Sequence, residues 1–249
     1  MKVQSVPQLR ARCRDLMLIN RSHPLRDDTV PDLAAPDAAF PDIQIERRAA
    51  LLLAACIRAA GGQGRIIPVS GWRSHAEQQA IWDDTLAKEG ADFTHKYVAF
   101  PGCSEHESGL AIDLAESAPE IDSIRPSLPY DGICGVFRRL APRYGFIERY
   151  REEKMQITGI AAEPWHFRYV GVPHALLMEQ YGVCLEEYVE LLNRRALSCT
   201  LENGRHVRVC RITDLSDSEK ISGGDPGHVL QIADDNAGGW ILTEWEALP

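Results

Sequence analysis

The chain has 249 residues, 45% of them hydrophobic and 25% charged, with a formal net charge of −9. These are the proportions of a folded globular protein with one large domain, or a main domain with a small addition, for which disorder is not the default. The negative balance contains no basic stripe, so neither nucleic acid nor an anionic membrane surface is the expected partner. The longest apolar run, Ala49 to Ile57, is far short of the roughly 20 residues of a membrane span, and no membrane anchor is expected.

The N-terminal stretch MKVQSVPQLRARCRDLMLIN has no contiguous apolar region leading to a small-residue cleavage site, so no secretory leader is read there and a cytoplasmic location is expected. Seven cysteines, odd in number and without a CxxC pair, fit a reducing compartment. Residues 21–46 are rich in Pro and Asp and predict an irregular arm laid over a core. The helix formers of ERRAALLLAACIRAA, residues 46–60, stop at Gly61-Gly62 and predict a buried helix with a glycine end.

A β-branched run, RIIPVSGW at 65–72, is followed by Ser74-His75-Ala76-Glu77, a reciprocal capping pattern that starts a helix at Ser74. In GLAIDLA, 109–115, Leu110, Ile112 and Leu114 alternate with Ala111, Asp113 and Ala115, so a strand would carry its carboxylate on a face of small neighbours with room for an ion. Residues 131–144 predict another helix. WHFRYV, 165–170, predicts a strand with His166 on one side and Trp165, Phe167 and Tyr169 on the other. HALLMEQYG and LEEYVELLNRRAL then predict a helical pair closing the main unit, with Leu185, Tyr188, Val189 and Leu192 on one stripe.

Beyond residue 198 the pieces HVRVCRI, HVLQIA and GWILTEW, separated by Gly, Asp, Ser and Asn, predict a small β appendage in which His206 and His228 are isolated. The expected architecture is α+β: a small central antiparallel sheet flanked by helices over residues 1–197, and a β-rich extension of unread role over 198–249.

Three stretches carry chemistry: SGWRSHAEQ at 70–78, SEHESGLAID at 104–113 and EPWH at 163–166. A hydrolytic zinc takes three His or carboxylate ligands and leaves a fourth position for water, and His106, Asp113 and His166 fit that count. Gly109 and Ala111 reduce crowding between a loop histidine and a strand carboxylate. Taken alone, this spacing equally fits an exposed loop histidine and a strand-end aspartate, and an isolated ExxH is common by chance. Pro164 forces Glu163 into an extended conformation, which lets its carboxylate enter a site from a rigid corner.

S-x-H-x-x-G-x-A-x-D followed by E-P-W-H resembles the zinc motif of the D-Ala-D-Ala carboxypeptidase and dipeptidase family. The resemblance extends through SGWRS, KYVAFPGCSEH, RPSLPYDGI and YGFIERY to ITGIAAEPWHFRYVG, and is greatest with the family's bifunctional VanXY type. It covers residues from Leu16 to His174, and more loosely the tail ending in GGWILTEW. By motif, the resemblance implies Zn²⁺ held by His106, Asp113 and His166, with Glu163 as the catalytic base and Arg73 stabilising the oxyanion. A guanidinium stays charged at any working pH and presents a fork of donors suited to that task.

Gln78, one turn into its helix, and Ser104, two residues before the first ligand, are candidate donors to the substrate peptide, against ordinary capping or solvation; His75 and His95 are not expected as ligands. The implied substrate is a small peptide ending in D-Ala-D-Ala or a peptidoglycan precursor, with removal of the vancomycin target as the cellular effect. An L,D-carboxypeptidase or peptidoglycan endopeptidase with the same zinc site is the alternative enzyme, and a non-catalytic zinc-binding module the alternative of another class.

Overall fold

The computed structural model describes residues 10–26, 29–215 and 229–245. Along them run strands β1 (Arg10–Cys13), β2 (Leu33–Ala34) and β3 (Ile45–Glu46), helix α1 (Arg47–Ala60), strand β4 (Ile66–Ser70), helices α2 (His75–Glu89) and α3 (Ala91–Tyr97), and strand β5 (Ala111–Glu116). They continue with α4 (Gly132–Leu140), β6 (Phe146–Tyr150), α5 (Met155–Thr158), β7 (Glu163–Tyr169), α6 (Val172–Tyr181), α7 (Leu185–Arg194), β8 (Leu197–Thr200), β9 (His206–Ile212), β10 (Val229–Asp234) and β11 (Trp240–Trp245). Contacts group them into two units, Ile19–Glu179 and Met1–Leu18 with Gln180–Pro249.

The larger unit is built on α1 and an antiparallel sheet of order β4-β5-β7-β6. Helix α1 begins where the Glu46 carboxylate accepts from the Ala49 amide at 2.9 Å, and ends at Gly61, whose left-handed φ of 73° lets its amide and that of Gly62 close the last turn. Its buried stripe, Ala49, Ala50, Leu53, Cys56, Ile57 and Ala60, packs in one core with Leu110, Ile112 and Leu114 around β5, Phe137 of α4, Phe146 of β6, and Trp165, Phe167 and Tyr169 of β7. Each fully buried aliphatic or aromatic chain there contributes about 1.5–3 kcal/mol. The opposite sheet face carries Asp113 and His166, as strand alternation predicts.

The smaller unit holds a five-stranded sheet of order β1-β10-β11-β9-β8, in which β1 runs parallel to β10 and the other pairs are antiparallel. Helix α7 presents the predicted stripe Leu185, Tyr188, Val189 and Leu192, all buried, and packs on β9. The β10–β11 turn is organised by the buried Asp235 carboxylate, which accepts from the amides of Ala237 (2.7 Å) and Gly239 (3.0 Å) and pairs with Arg211.

Several expectations change. The helix predicted through Leu197 stops at Arg194, because Leu197 already pairs with Val209 in the tail sheet. The unit boundary accordingly falls at Glu179, earlier than residue 197, and α7 and the first described residues group with the tail. The arm over 21–46 is irregular but contains the two-stranded β2–β3 ladder. Strand β6 and helix α3, unpredicted, follow Gly145 and Gly90. The helix expected over 131–144 is α4 followed by a 3₁₀ turn from Ala141 to Tyr144. His206 lies in β9, whereas His228 and the first nine residues lie outside the described residues. No helix among the described residues is long and apolar enough to cross a membrane.

The arm is fastened to the site loops by backbone: Leu25 N–H donates to Gly102 O at 2.7 Å, Trp72 N–H to Gln44 O at 2.6 Å and Glu46 N–H to Gly109 O at 2.8 Å. At Gly71 the two chains approach so closely that a Cβ would collide with the Gln44 carbonyl. Gly71→Ala is therefore expected to cost about 1–3 kcal/mol through overpacking, read as a lowered urea midpoint; an unchanged midpoint would contradict this close approach.

Candidate metal centre

Asp113 and His166 are direct partners across the β5–β7 ladder, so their side chains rise from the same face side by side. His106 arrives from a different element, the 3₁₀ turn Glu105–Ser108, which ends at Gly109 in the left-handed region (φ 75°). A Cβ at Gly109 would also press on Pro31, so arm and turn require glycine there for two reasons. Ligand atoms of His106, Asp113 and His166 all lie within 4.8 Å of one another, and all three residues are buried.

Both rings are oriented from behind. His106 Nδ1 lies 2.7 Å from Gly71 O, which fixes the proton of the neutral ring on Nδ1 and turns Nε2 toward Asp113 Oδ2 at 3.2 Å. His166 faces the cluster with the other nitrogen: Nδ1 is 3.0 Å from Asp113 Oδ1 and 3.7 Å from Glu163 Oε2, while Nε2 is 3.5 Å from Glu105 Oε2. Tyr150 packs its ring on His166, with centroids 4.9 Å apart.

Glu163 reaches this cluster through an irregularity. Strict alternation would put it on the core face with Trp165 and Phe167. From Glu163 to Phe167 β7 advances four residues while β6, from Tyr150 to Glu148, advances two. The ladder is broken there, and Glu163 lines the same cavity as His166. A second irregularity, in β4, sets two residues (Pro68 to Ser70) against one in β5 (Leu114 to Asp113), directly beside the aspartate.

Arg73 follows the β4 end. Its Nη2 is 3.5 Å from Asp113 Oδ2 and its Nη1 donates to Gln78 Oε1 at 2.8 Å, while its buried Nε has no hydrogen bond among the described residues. The Gln78 amide is engaged at both ends within the chain, since its Nε2 donates to Ala99 O at 2.8 Å. Ser104 is buried and lines the cavity. His75 pairs with Glu107 at 2.9 Å and His95 stacks on Trp82, both away from the triad. Glu105, Arg149 and Arg168 form a buried cluster next to His166 that lies outside the expected site residues. For Arg168 a signal existed: it lies two residues after His166, on the same strand face.

Burial opposes charge on every group here, and the balance differs by partner. Asp113 is held well below the usual carboxylate range, because the facing His106 and His166 outweigh its desolvation. Burial and the nearby Arg73 bring His106 down to about 4. For His166 burial is overcome by the facing carboxylates of Asp113 and Glu105, and it rises to about 9. Burial lifts Glu163 to about 8 against the pull of His166. The metal-free cluster thus keeps a proton on His166, between Nδ1 and Asp113, which a bound cation must displace. Two imidazole nitrogens and one carboxylate oxygen, with Gly71 O behind the His106 ring and the Glu105 carboxylate behind that of His166, form a donor set that suits a four-coordinate metal with an open position.

A family model described as VanY, D-alanyl-D-alanine carboxypeptidase, matches residues 42–172. The chain is 39% identical over 179 residues to the bifunctional D-Ala-D-Ala dipeptidase and D-Ala-D-Ala carboxypeptidase VanXYC of Enterococcus gallinarum, spanning 71% of this chain and 94% of that protein. Among solved structures, it matches the vancomycin-resistance D,D-dipeptidase VanXYg bound to a D-Ala-D-Ala phosphinate analogue, with 40% identity, a TM-score of 0.86 and 94% of each chain covered. A variant of the D,D-pentapeptidase VanY from a VanB-type resistance cassette, in complex with Zn(II), matches at 32% identity and a TM-score of 0.58, covering 70% of this chain and 98% of that one.

The titrations give a pH test of the metal-free cluster. His166 and Glu163 both titrate above their ordinary values of 6.5 and 4.5, so the stability they lend is complete below those values and is lost as pH rises through about 9 and about 8. With chelator present, the melting temperature is expected to fall from neutral pH toward pH 9, and less steeply in His166→Gln. A slope identical in the two proteins would contradict the placement of that proton.

Proposed function

The chain belongs to the VanY family of D-alanyl-D-alanine carboxypeptidases, and on that premise we propose that it is a zinc D,D-peptidase whose metal is held by His106, Asp113 and His166. One observation carries the reading: three buried donors of the hydrolytic type lie within 4.8 Å in the wall of a cavity, with a carboxylic acid and a guanidinium beside them. Zinc bound by this set would supply a Lewis acid that polarises the scissile carbonyl and acidifies water.

The chain's own residues do the remainder. Glu163, lifted by burial to about 8, sits near neutrality, where a group both accepts and returns a proton. It takes the proton of the attacking water and passes one to the leaving amine. Arg73, steadied by Gln78 and Asp113, directs its donors to the oxygen that becomes negative in the tetrahedral intermediate. Tyr150, Ser104 and Trp165 wall the cavity, whose volume of about 320 Å³ is at the small end for ligand clefts, roughly 300–1,000 Å³, and suits a short peptide terminus.

The substrate we propose is the amide between two D-residues, in free D-Ala-D-Ala or at the end of a peptidoglycan precursor in the cytoplasm, its hydrolysis removing the vancomycin target. Incubating the zinc-loaded protein with D-Ala-D-Ala, a pentapeptide precursor and a tetrapeptide tests this: release of D-Ala from either of the first two supports it, and cleavage of the tetrapeptide alone would replace it with an L,D-carboxypeptidase.

The roles separate by mutation. Glu163→Ala is expected to retain zinc and lose about 10²–10⁴ in rate, whereas His106→Ala loses both, as measured by metal content and D-Ala release. A fully active Glu163→Ala protein would remove the base assignment.

A further inference from the structure

Behind the metal centre lie three charged side chains that take no part in the chemistry above. Glu105 and Arg168 have side chains 0% exposed and Arg149 is 1% exposed. Arg149 Nε and Arg168 Nη1 approach the same carboxylate oxygen, Glu105 Oε1, at 2.8 and 2.9 Å. Three elements therefore brace one carboxylate: the 3₁₀ turn that supplies it, β6 and β7. With Oε1 engaged twice, Oε2 is the oxygen turned to His166 Nε2, at 3.5 Å, and each of these two buried atoms lacks a hydrogen bond among the described residues and faces the other.

A buried ionic cluster is a weak device for stability, since apolar side chains of the same volume fill such space as well or better. Its placement gives the reason for it. His166 has two ring nitrogens, and Nδ1 is the one beside Asp113. A ring free to turn over would offer either nitrogen. A carboxylate fixed on the far side decides between them, because it requires a hydrogen at Nε2 and leaves the Nδ1 lone pair directed into the triad.

We propose that Glu105, clamped by Arg149 and Arg168, is a positioning residue for the metal centre: it holds His166 with its N–H at Nε2, so that Nδ1 is the atom presented to the metal. The inference rests on the zinc-peptidase reading. It predicts opposite ring nitrogens at the two histidine positions, Nε2 of His106 and Nδ1 of His166.

Two measurements test it. In the unmodified full chain, labelled with ¹⁵N at histidine and loaded with ¹¹³Cd²⁺, metal–nitrogen couplings are expected at His106 Nε2 and His166 Nδ1, with the Nε2 hydrogen of His166 protected from exchange. Coupling at His166 Nε2 would overturn the proposal without recourse to any variant. In Glu105→Gln, zinc affinity measured by competition with a chromogenic chelator is expected to fall about 10- to 100-fold, among molecules shown by circular dichroism to be folded before metal is added. A purely structural role would lower the unfolding midpoint and leave the affinity of the folded fraction unchanged, and equal affinity would overturn the proposal. If the unmodified chain bound no zinc, the peptidase reading would fall, and this inference with it.

Discussion

A carboxylate taken out of water is the constraint around which the larger unit is arranged. Asp113 is 7% exposed on a strand in the middle of a sheet, where an isolated charge would be untenable. Its compensation comes from His106 Nε2, His166 Nδ1 and Arg73 Nη2, all within 3.5 Å. No single element could deliver them. His166 comes from the neighbouring strand, His106 from a 3₁₀ turn and Arg73 from the segment between β4 and α2, so the site exists only when the sheet, the turn and the capped helix are all in place. The same gathering of lone-pair donors around one anion makes the cluster receptive to a cation, whose binding would release the proton held on His166.

Precision at the candidate ligands is supplied largely by backbone. Gly71 offers its carbonyl to His106, while Gln44 accepts from the next amide along, and the chains meet where a side chain would not fit. Gln78 then holds Arg73 by one end of its amide and the chain at Ala99 by the other. The functional side chains are thus the ends of short relays that begin in the fold, and each relay uses main-chain groups whose positions the core sets.

Much of this was legible in the sequence because the physical signals were local. The Glu46 start and Gly61 end of α1, the capping pattern at Ser74 and the alternation around Asp113 all translate directly into backbone geometry. The candidate site needed more, since His106 and Glu163 carry no periodic signal and their grouping came from the joint motif. What stayed hidden was non-local. Glu163 enters the cavity through a ladder irregularity that alternation forbids. Strand β8 begins inside an apparently helical run because Leu197 finds Val209 across the tail sheet. Glu105, Arg149 and Arg168 are ordinary surface residue types until folding buries them against one another.

The arm between Ile19 and Glu46 bears on how this protein tolerates change. It is tied to the site loops through Leu25 N–H, Gln44 O and Glu46 N–H, groups that every residue but proline provides in full. Side-chain identity is constrained where the arm also packs or caps, at the buried Ile19 and Ile45 and at Glu46, while a residue inserted or deleted between Gln44 and Glu46 would put their backbone groups out of step with Trp72 and Gly109. The segment that looks least structured in composition is thus pinned at a few fixed points of backbone and side chain, unlike an ordinary surface loop.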